Sequence, residues 1–332
     1  MGGLALDRSL RLVVFGDGPW AAKSLRRLQQ GRHRVVAVVL RECPSDPTLG
    51  EATRALRLPV LQPRDVNDPA FVECLRALTP DLGLSIAYNQ ILRRDVRGSA
   101  PLGCVNVHAG KLPSYRGRNV INWAIINGER EIGLTVHFMD DGIDTGDILL
   151  QHTLPIGWTD SYGDVLGRVV EAIPQLVEEG VELVACGNYT TERQAEAVGT
   201  YFGGRGEGDE WLDWADSSVN LHNKVRGISR PGPGARTLLD RQRIVIWRAY
   251  YDPAWPKYLA TPGQVVGRQP GDGVLVKTGD STLLVQEVEI AGQIGPPSWR
   301  LGTRLGVSLA TALQAWLDGG VGEPTARSVD HA

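Results

Sequence analysis

Short unbroken apolar runs at residues 12–15, 35–40, 82–87, 105–107, 132–139 and 148–150 alternate with stretches at 20–28, 49–58, 68–78, 120–126 and 162–185 whose apolar side chains recur at helical spacing. Runs of that kind suit strands buried on both faces, and the interleaved helices supply the crossovers. The pattern predicts an α/β domain with a mostly parallel sheet, covered on both faces and wound right-handedly. Pro174 falls inside the last helical stretch, but the apolar spacing carries through it. After residue 199 the texture changes. Gly203, Gly204, Gly206 and Gly208 read as a linker, and β-rich segments follow at 243–251, 263–266, 273–277 and 282–289, separated by Gly and Pro turns, with one helix at 218–227. Short strands with such turns predict a small barrel or sandwich. A surface helix is expected at 305–317. The division that results is a first domain at 1–200, a smaller β domain at 201–305, and a C-terminal helix and tail at 306–332.

The chain has 332 residues, enough for two domains with a sizeable buried core. Hydrophobic residues make up 42% and charged residues 22%, which excludes bulk disorder. Net charge is −3 and no stretch concentrates Lys and Arg, so a small-molecule partner is expected rather than nucleic acid or a membrane surface. Cys43, Cys74, Cys104 and Cys186 form no C-x-x-C pair, which points away from a metal site and toward a reducing cytoplasm. No basic leader with a long apolar core opens the chain, and no run is long enough to span a membrane. Nothing in the pattern fixes an oligomeric state.

Three segments carry candidate chemistry. Gly16-x-Gly18 lies between strand and helix, as a dinucleotide fingerprint does, but Pro19 removes a backbone donor from the turn and Leu40-Arg41 ends the next strand without an acid. A dinucleotide-dependent oxidoreductase, the reading from a different class, fails on that turn. The densest polar cluster runs from Asn106 to Arg118. Strand alternation sets Asn106 and His108 on one face, at the edge where open α/β sheets bind ligands. Met139 to Asp147, with four carboxylates and two glycines, follows another strand and is expected to leave the sheet in the same manner. Cys104 is expected to pack under the sheet.

The motif Asn106-x-His108-x-Gly110-x-Leu112-Pro113-x-Tyr115-Arg116-Gly117-Arg118 is followed by Asn122-Trp123-Ala124-x-x-Asn127-Gly128-Glu129. Further on come Gly133-x-Thr135-x-His137-x-x-Asp140-x-x-Ile143-Asp144-Thr145-Gly146 and, later, Leu221-His222-Asn223-x-x-Arg226. This constellation resembles the formyltransferases that use N10-formyltetrahydrofolate, over nearly the whole chain. The resemblance implies a Rossmann-like formyltransferase fold with a smaller, OB-like C-terminal β-barrel. It also implies formyl transfer to a primary amine, with N10-formyltetrahydrofolate as co-substrate and no metal. By resemblance the catalytic residues are Asn106, His108 and Asp144. An amide such as Asn106 suits a developing oxyanion, His108 can exchange a proton near neutral pH, and Asp144 beside it would orient the ring and raise its pKa. The pterin slot would be formed by Gln90, Ile91 and Leu92 with the backbone of Asp140, Asp141, Gly142, Ile143 and Asp144, and Arg118 would support loop and folate.

On the acceptor side, Lys111, Tyr115, Arg116, Asn122 and Trp123 are expected to hold a sugar and its phosphates, because the pattern is most similar to enzymes that formylate a nucleotide-linked amino sugar. Initiator methionyl-tRNA is the first rival. The loop at 42–51 is acidic where a tRNA acceptor calls for basic residues. Hydroxyornithine or another amino-acid or natural-product amine is the second. These readings predict that calorimetry detects binding of tetrahydrofolate and no binding of NAD or NADP; tight dinucleotide binding without folate heat would refute them.

Overall fold

The computed structural model describes residues 8–44, 46–195, 199–240 and 242–306, so the helix expected at 305–317 lies almost wholly outside the described residues. In chain order the first part of the fold comprises β1 (Arg11–Gly16), α1 (Gly18–Leu28), β2 (Arg34–Leu40), α2 (Thr48–Ala55), β3 (Val60–Leu61), α3 (Pro69–Ala77), β4 (Leu82–Ile86), α4 (Arg94–Arg97) and β5 (Cys104–His108). It continues with β6 (Arg116–Gly117), α5 (Val120–Ile126), β7 (Glu131–Phe138), β8 (Ile148–Pro155), α6 (Tyr162–Cys186) and β9 (Tyr201–Phe202). Seven strands form one sheet in the order β3-β2-β1-β4-β5-β7-β8. Strands β1 to β5 pair in parallel, whereas β7 and β8 are antiparallel.

Alternation along β1 explains the two faces. Leu12 and Val14 join α1, α2, α5 and α6 in the larger apolar cluster, while Val13 and Phe15 join Val72, Leu75 and Val96 of α3 and α4 in the smaller one. On β5 and β7 the larger cluster takes Val105, Val107, Leu134 and Val136. Asn106, His108, Thr135 and His137 therefore face the other way. There the helices α3 and α4 pack beside β1 and β2, and against β5 and β7 the face carries polar loops.

Helix α6 spans 25 residues in spite of Pro174. A capping box starts it, with Asp164 N donating to Ser161 Oγ at 3.3 Å and Ser161 N to Asp164 Oδ2 at 2.8 Å; Gly187 ends it in the left-handed region at φ 66°.

By packing, one unit runs to Asp209 and takes in Arg230–Gly232, and the other holds Glu210–Ser229 and the chain from Pro233 on. The second unit contains α7 (Ser218–Gly227), β10 (Ala235–Leu239), β11 (Gln242–Tyr250), β12 (Val265–Gln269), β13 (Gly273–Lys277), β14 (Thr282–Ile290) and β15 (Gln293–Gly295). Its sheet is antiparallel throughout, in the order β10-β11-β14-β13-β12 with β15 on β14. Strand β10 follows Pro231-Gly232-Pro233-Gly234, a run whose turn chemistry hides the strand in the sequence. Among the described residues no helix is long and apolar enough to cross a membrane. Replacing Ser161 with Ala removes one half of the α6 capping box, and thermal melts should show a loss of about 1 kcal/mol.

Candidate active site

Pairing of β5 with β7 sets Asn106 opposite His137 and His108 opposite Thr135. Pairing of β7 with β8 adds Gln151 opposite Thr135. The result is a polar stripe across three strands. Thr135 Oγ1 donates to Gly110 O at 2.7 Å, and Gln151 Nε2 donates to Leu112 O at 3.0 Å and to Thr135 Oγ1 at 2.9 Å. The loop that leaves β5 is thus pinned to the stripe. Gly110 is required there, because a Cβ would stand 2.4 Å from Tyr115 O and 2.5 Å from His108 Nε2.

The second polar loop does not leave the sheet as the sequence reading expects. Since β7 is antiparallel to β5, its end lies beside the start of β5, where Met139 N donates to Cys104 O at 2.8 Å. Residues 139–147 must fold back over the sheet face to reach His108. Asp144 makes that return in the left-handed region at φ 54°, a conformation costing a non-glycine residue roughly 1–2 kcal/mol. Its carboxylate lies 3.3 Å from Asn106 Nδ2, 3.4 Å from His137 Nε2 and 3.6 Å from His108 Nδ1, and it accepts a hydrogen bond from Gly117 N at 2.9 Å. The structure thus brings together Asn106, His108 and Asp144, and adds His137.

Burial and partners fix the charges. Burial pushes the Asp144 carboxyl up, but the His137 hydrogen bond, the His108 charge and the Gly117 N–H outweigh it and bring its pKa down to about 2. His108, only 7% exposed, is shifted the other way: desolvation pulls it below 6.5 against the opposing pull of Asp144 and of the Tyr115 carbonyl. Asp144 does pull the imidazole's pKa up, as expected from the sequence, but desolvation outweighs that pull. Tyr115 O lies 2.6 Å from His108 Nε2 and, being an acceptor, fixes the proton of the neutral ring on Nε2. Nδ1 is then the basic nitrogen. Cys104 is buried, and desolvation pushes its thiol up to about 12, which suits packing and not nucleophilic attack.

The Gly16 turn is closed from within. Arg41 Nη1 pairs with the buried Asp17 at 3.0 Å and Nη2 donates to Ala87 O at 2.5 Å, so a pyrophosphate there would meet a carboxylate.

Residues 10–181 match the formyl transferase family, and residues 207–295 match the C-terminal domain of formyl transferases. The chain belongs to the formyl transferase family. A methionyl-tRNA formyltransferase of Geobacter sulfurreducens is 33% identical over 315 residues, covering 90% of this chain and 97% of that protein. Another, from Symbiobacterium thermophilum, is 36% identical over 86% of this chain and 89% of its own. An N-formyltransferase from Helicobacter canadensis, solved with folinic acid and dTDP-3-aminofucose, shares the fold at a TM-score of 0.65 with 18% identity, over 83% of this chain and 99% of that one.

The remaining residues expected to serve this formyl transferase fall into two groups. In the first, the Gln90 side chain is spent on backbone, accepting from Val66 N at 2.8 Å and donating to Arg64 O at 3.1 Å, and Leu92 is buried. Ile91 and Ile143 are 56% and 47% exposed. Asp140 knits its own loop by accepting from Gly142 N and Thr145 Oγ1 at 3.0 and 2.6 Å. Asp141 pairs with Arg97, which also donates to Leu92 O at 2.7 Å, so Arg97 links the two stretches. Arg118 is exposed, with its backbone N–H on Phe202 O at 2.8 Å.

On the acceptor side, Lys111 pairs with Glu131, and Asn122 is buried. Tyr115 stacks on Phe202 at 5.0 Å and its hydroxyl donates to Glu129 Oε1 at 2.7 Å; Trp123 stacks on the same Phe202 at 5.7 Å. Lys111, Tyr115, Ala124, Glu129 and Ile132 line a cavity of about 330 Å³. Arg116, expected to hold phosphate, is 9% exposed, and its guanidinium donates to Gln194 Oε1 from Nε at 3.2 Å and from Nη2 at 2.8 Å.

Two groups of residues escaped the sequence reading. His137 stands in the quoted motif, and its register opposite Asn106 was the signal that could have marked it. Gln194, Thr200 and Phe202 follow α6 in a stretch without periodicity, and no local pattern announces them. Because the unfolded chain takes up a proton that buried His108 refuses, stability should fall as pH drops below 6.5, and a His108→Gln variant should lack that component. Imidazole NMR of the folded protein should show the His108 ring titrating below 6.5; titration at or above that value would refute the assignment.

Proposed function

We propose that this chain transfers the formyl group of N10-formyltetrahydrofolate to a primary amine, with Asn106, His108 and Asp144 as its catalytic residues. The observation that carries the reading is the cluster of half-buried amide and carboxylate with a buried imidazole on the β5–β7 face, within a chain of the formyl transferase family. The folate carries the formyl carbon that the amine attacks. Asn106 Nδ2 rests 3.2 and 3.3 Å from His137 and Asp144, long bonds that a developing oxyanion can displace. His108 accepts the amine's proton at Nδ1, where ionised Asp144 stabilises the imidazolium, and gives a proton back to N10 as the bond from N10 to the formyl carbon breaks and tetrahydrofolate leaves. Ile91 and Ile143 offer exposed apolar surface on two loops held by Arg97, a chemistry that suits a flat pterin ring.

For the acceptor, the likeness to methionyl-tRNA formyltransferases over nearly their full length favours initiator methionyl-tRNA over the amino sugar expected from the sequence. The cavity agrees with that order. Leu112, Pro113, Ala124 and Ile132 give it apolar walls suited to a methionine side chain, and Glu129 and Glu131 suit an amine better than a pyrophosphate. Lys111 and Arg116, the cations a sugar nucleotide would call on, are committed to Glu131 and Gln194. A nucleotide-linked amino sugar stays as the second reading, because the loop at 42–51 has no Lys or Arg and carries Glu42, Asp46 and Glu51.

Mass spectrometry after incubation with formyltetrahydrofolate and, separately, initiator methionyl-tRNA, dTDP- and UDP-linked amino sugars, and hydroxyornithine should show one formyl group gained by the methionyl-tRNA. Formylation of a sugar with tRNA untouched would replace the acceptor and keep the chemistry. No gain on any amine would refute the reaction.

A further inference from the structure

Gln194 occupies a position that none of the catalytic roles requires. It is 7% exposed and comes from the segment after α6, 50 residues beyond Asp144. Its Nε2 donates to Asp144 O at 3.0 Å and to Gly146 O at 2.7 Å, and its Oε1 accepts from Nε and Nη2 of Arg116. Arg116 directly precedes Gly117, whose N–H holds the Asp144 carboxylate. A closed ring results, running from the Asp144 carboxylate through Gly117, Arg116 and Gln194 back to the Asp144 carbonyl.

We propose that Gln194 is a positioning residue for formyl transfer, clamping the left-handed Asp144 turn so that its carboxylate stays between Asn106 and His108. This rests on the formyl-transfer reading of the site. Only an amide side chain meets the need. The two carbonyls require donors and the guanidinium requires an acceptor, both at the end of one side chain. Because Arg116 Nε and Nη2 both fix the oxygen end, the nitrogen end faces the carbonyls without ambiguity. A glutamate would keep the Arg116 pair but set an anion against two carbonyl oxygens; a leucine would leave all four partners unsatisfied. The backbone of Asp144 is strained and its loop has to fold back from the far edge of β5, so the turn needs holding from outside. The groups facing His108 are Asp144, His137 and the Tyr115 carbonyl, and of these Gln194 fixes the first.

The test compares Gln194→Leu and Gln194→Glu with the wild-type chain. In both, kcat should fall about ten- to a hundredfold while KM for the acceptor stays within about twofold, as expected when a reacting group is misplaced and binding is retained. The acid limb of the kcat profile and the NMR titration of His108, identified by its absence in His108→Gln, should both move to lower pH, because the carboxylate that favours the imidazolium has drifted away. Gln194→Glu retains the Arg116 pair, which keeps one variant folded if the leucine variant is not. The proposal is overturned if kcat is unchanged, or if activity falls with the melting temperature while the His108 titration stays at its wild-type position. The titration needs neither folate nor acceptor, so it judges the clamp even if wild-type protein formylates none of the amines tried.

Discussion

A single buried carboxylate organises the working face of this protein. Asp144 has to be ionised to accept from Gly117 N–H and to face two histidines, and it has to be buried for those interactions to be strong. Burial alone pushes its carboxyl pKa up. The partners that outweigh this come from β5, from β7 and from the loop after β5, so ionisation of Asp144 and correct docking of the loops are the same event. The stripe of Thr135 and Gln151 serves that docking from below by holding Gly110 O and Leu112 O. Gly117, at φ 95° with Phe202 O only 2.2 Å from where a Cβ would stand, serves it from above.

The division of labour between the two sheet faces follows from strand alternation. Every second residue of β5 and β7 is committed to the cluster under α6, which frees the others for chemistry. The helices on the second face, α3 and α4, pack beside β1 and β2. The space that further helices would have covered is taken by loops rich in donors and acceptors. A parallel sheet sandwiched on both sides along its whole width would have left no room for a site there.

Much of this is legible in the chain. Val120–Ile126 and Gly273–Lys277 are recovered to the residue, because each is a clean periodic run bounded by turn residues. Asn106 and His108 declare a shared face by their spacing. Strand direction is another matter, since an apolar run such as 132–139 reads the same whichever way it points. The consequence was an expectation that the 139–147 loop leaves the sheet beside the 109–118 loop, when it starts at the opposite end and doubles back. Arg116 could not be read correctly either. A lone arginine in a polar loop looks like an anion ligand, and only the arrival of Gln194 from 78 residues away shows it to be buried and engaged.

The order in which the chain is made gives the strap after α6 one more meaning. Strand β9 pairs in parallel with β6, Tyr115 N donates to Thr200 Oγ1 at 2.9 Å, and Phe202 lies under Tyr115 and Trp123. All seven strands of the large sheet, and the helix that covers it, have left the ribosome before Gln194 and Phe202 do. A nascent chain stopped at the end of α6 therefore possesses its scaffold and every residue of the Asn106–His108–Asp144 cluster, but lacks the contacts that tie the two polar loops together. The contacts that tie the two polar loops together thus come last in the chain of the first unit, at long sequence separation from the residues they hold.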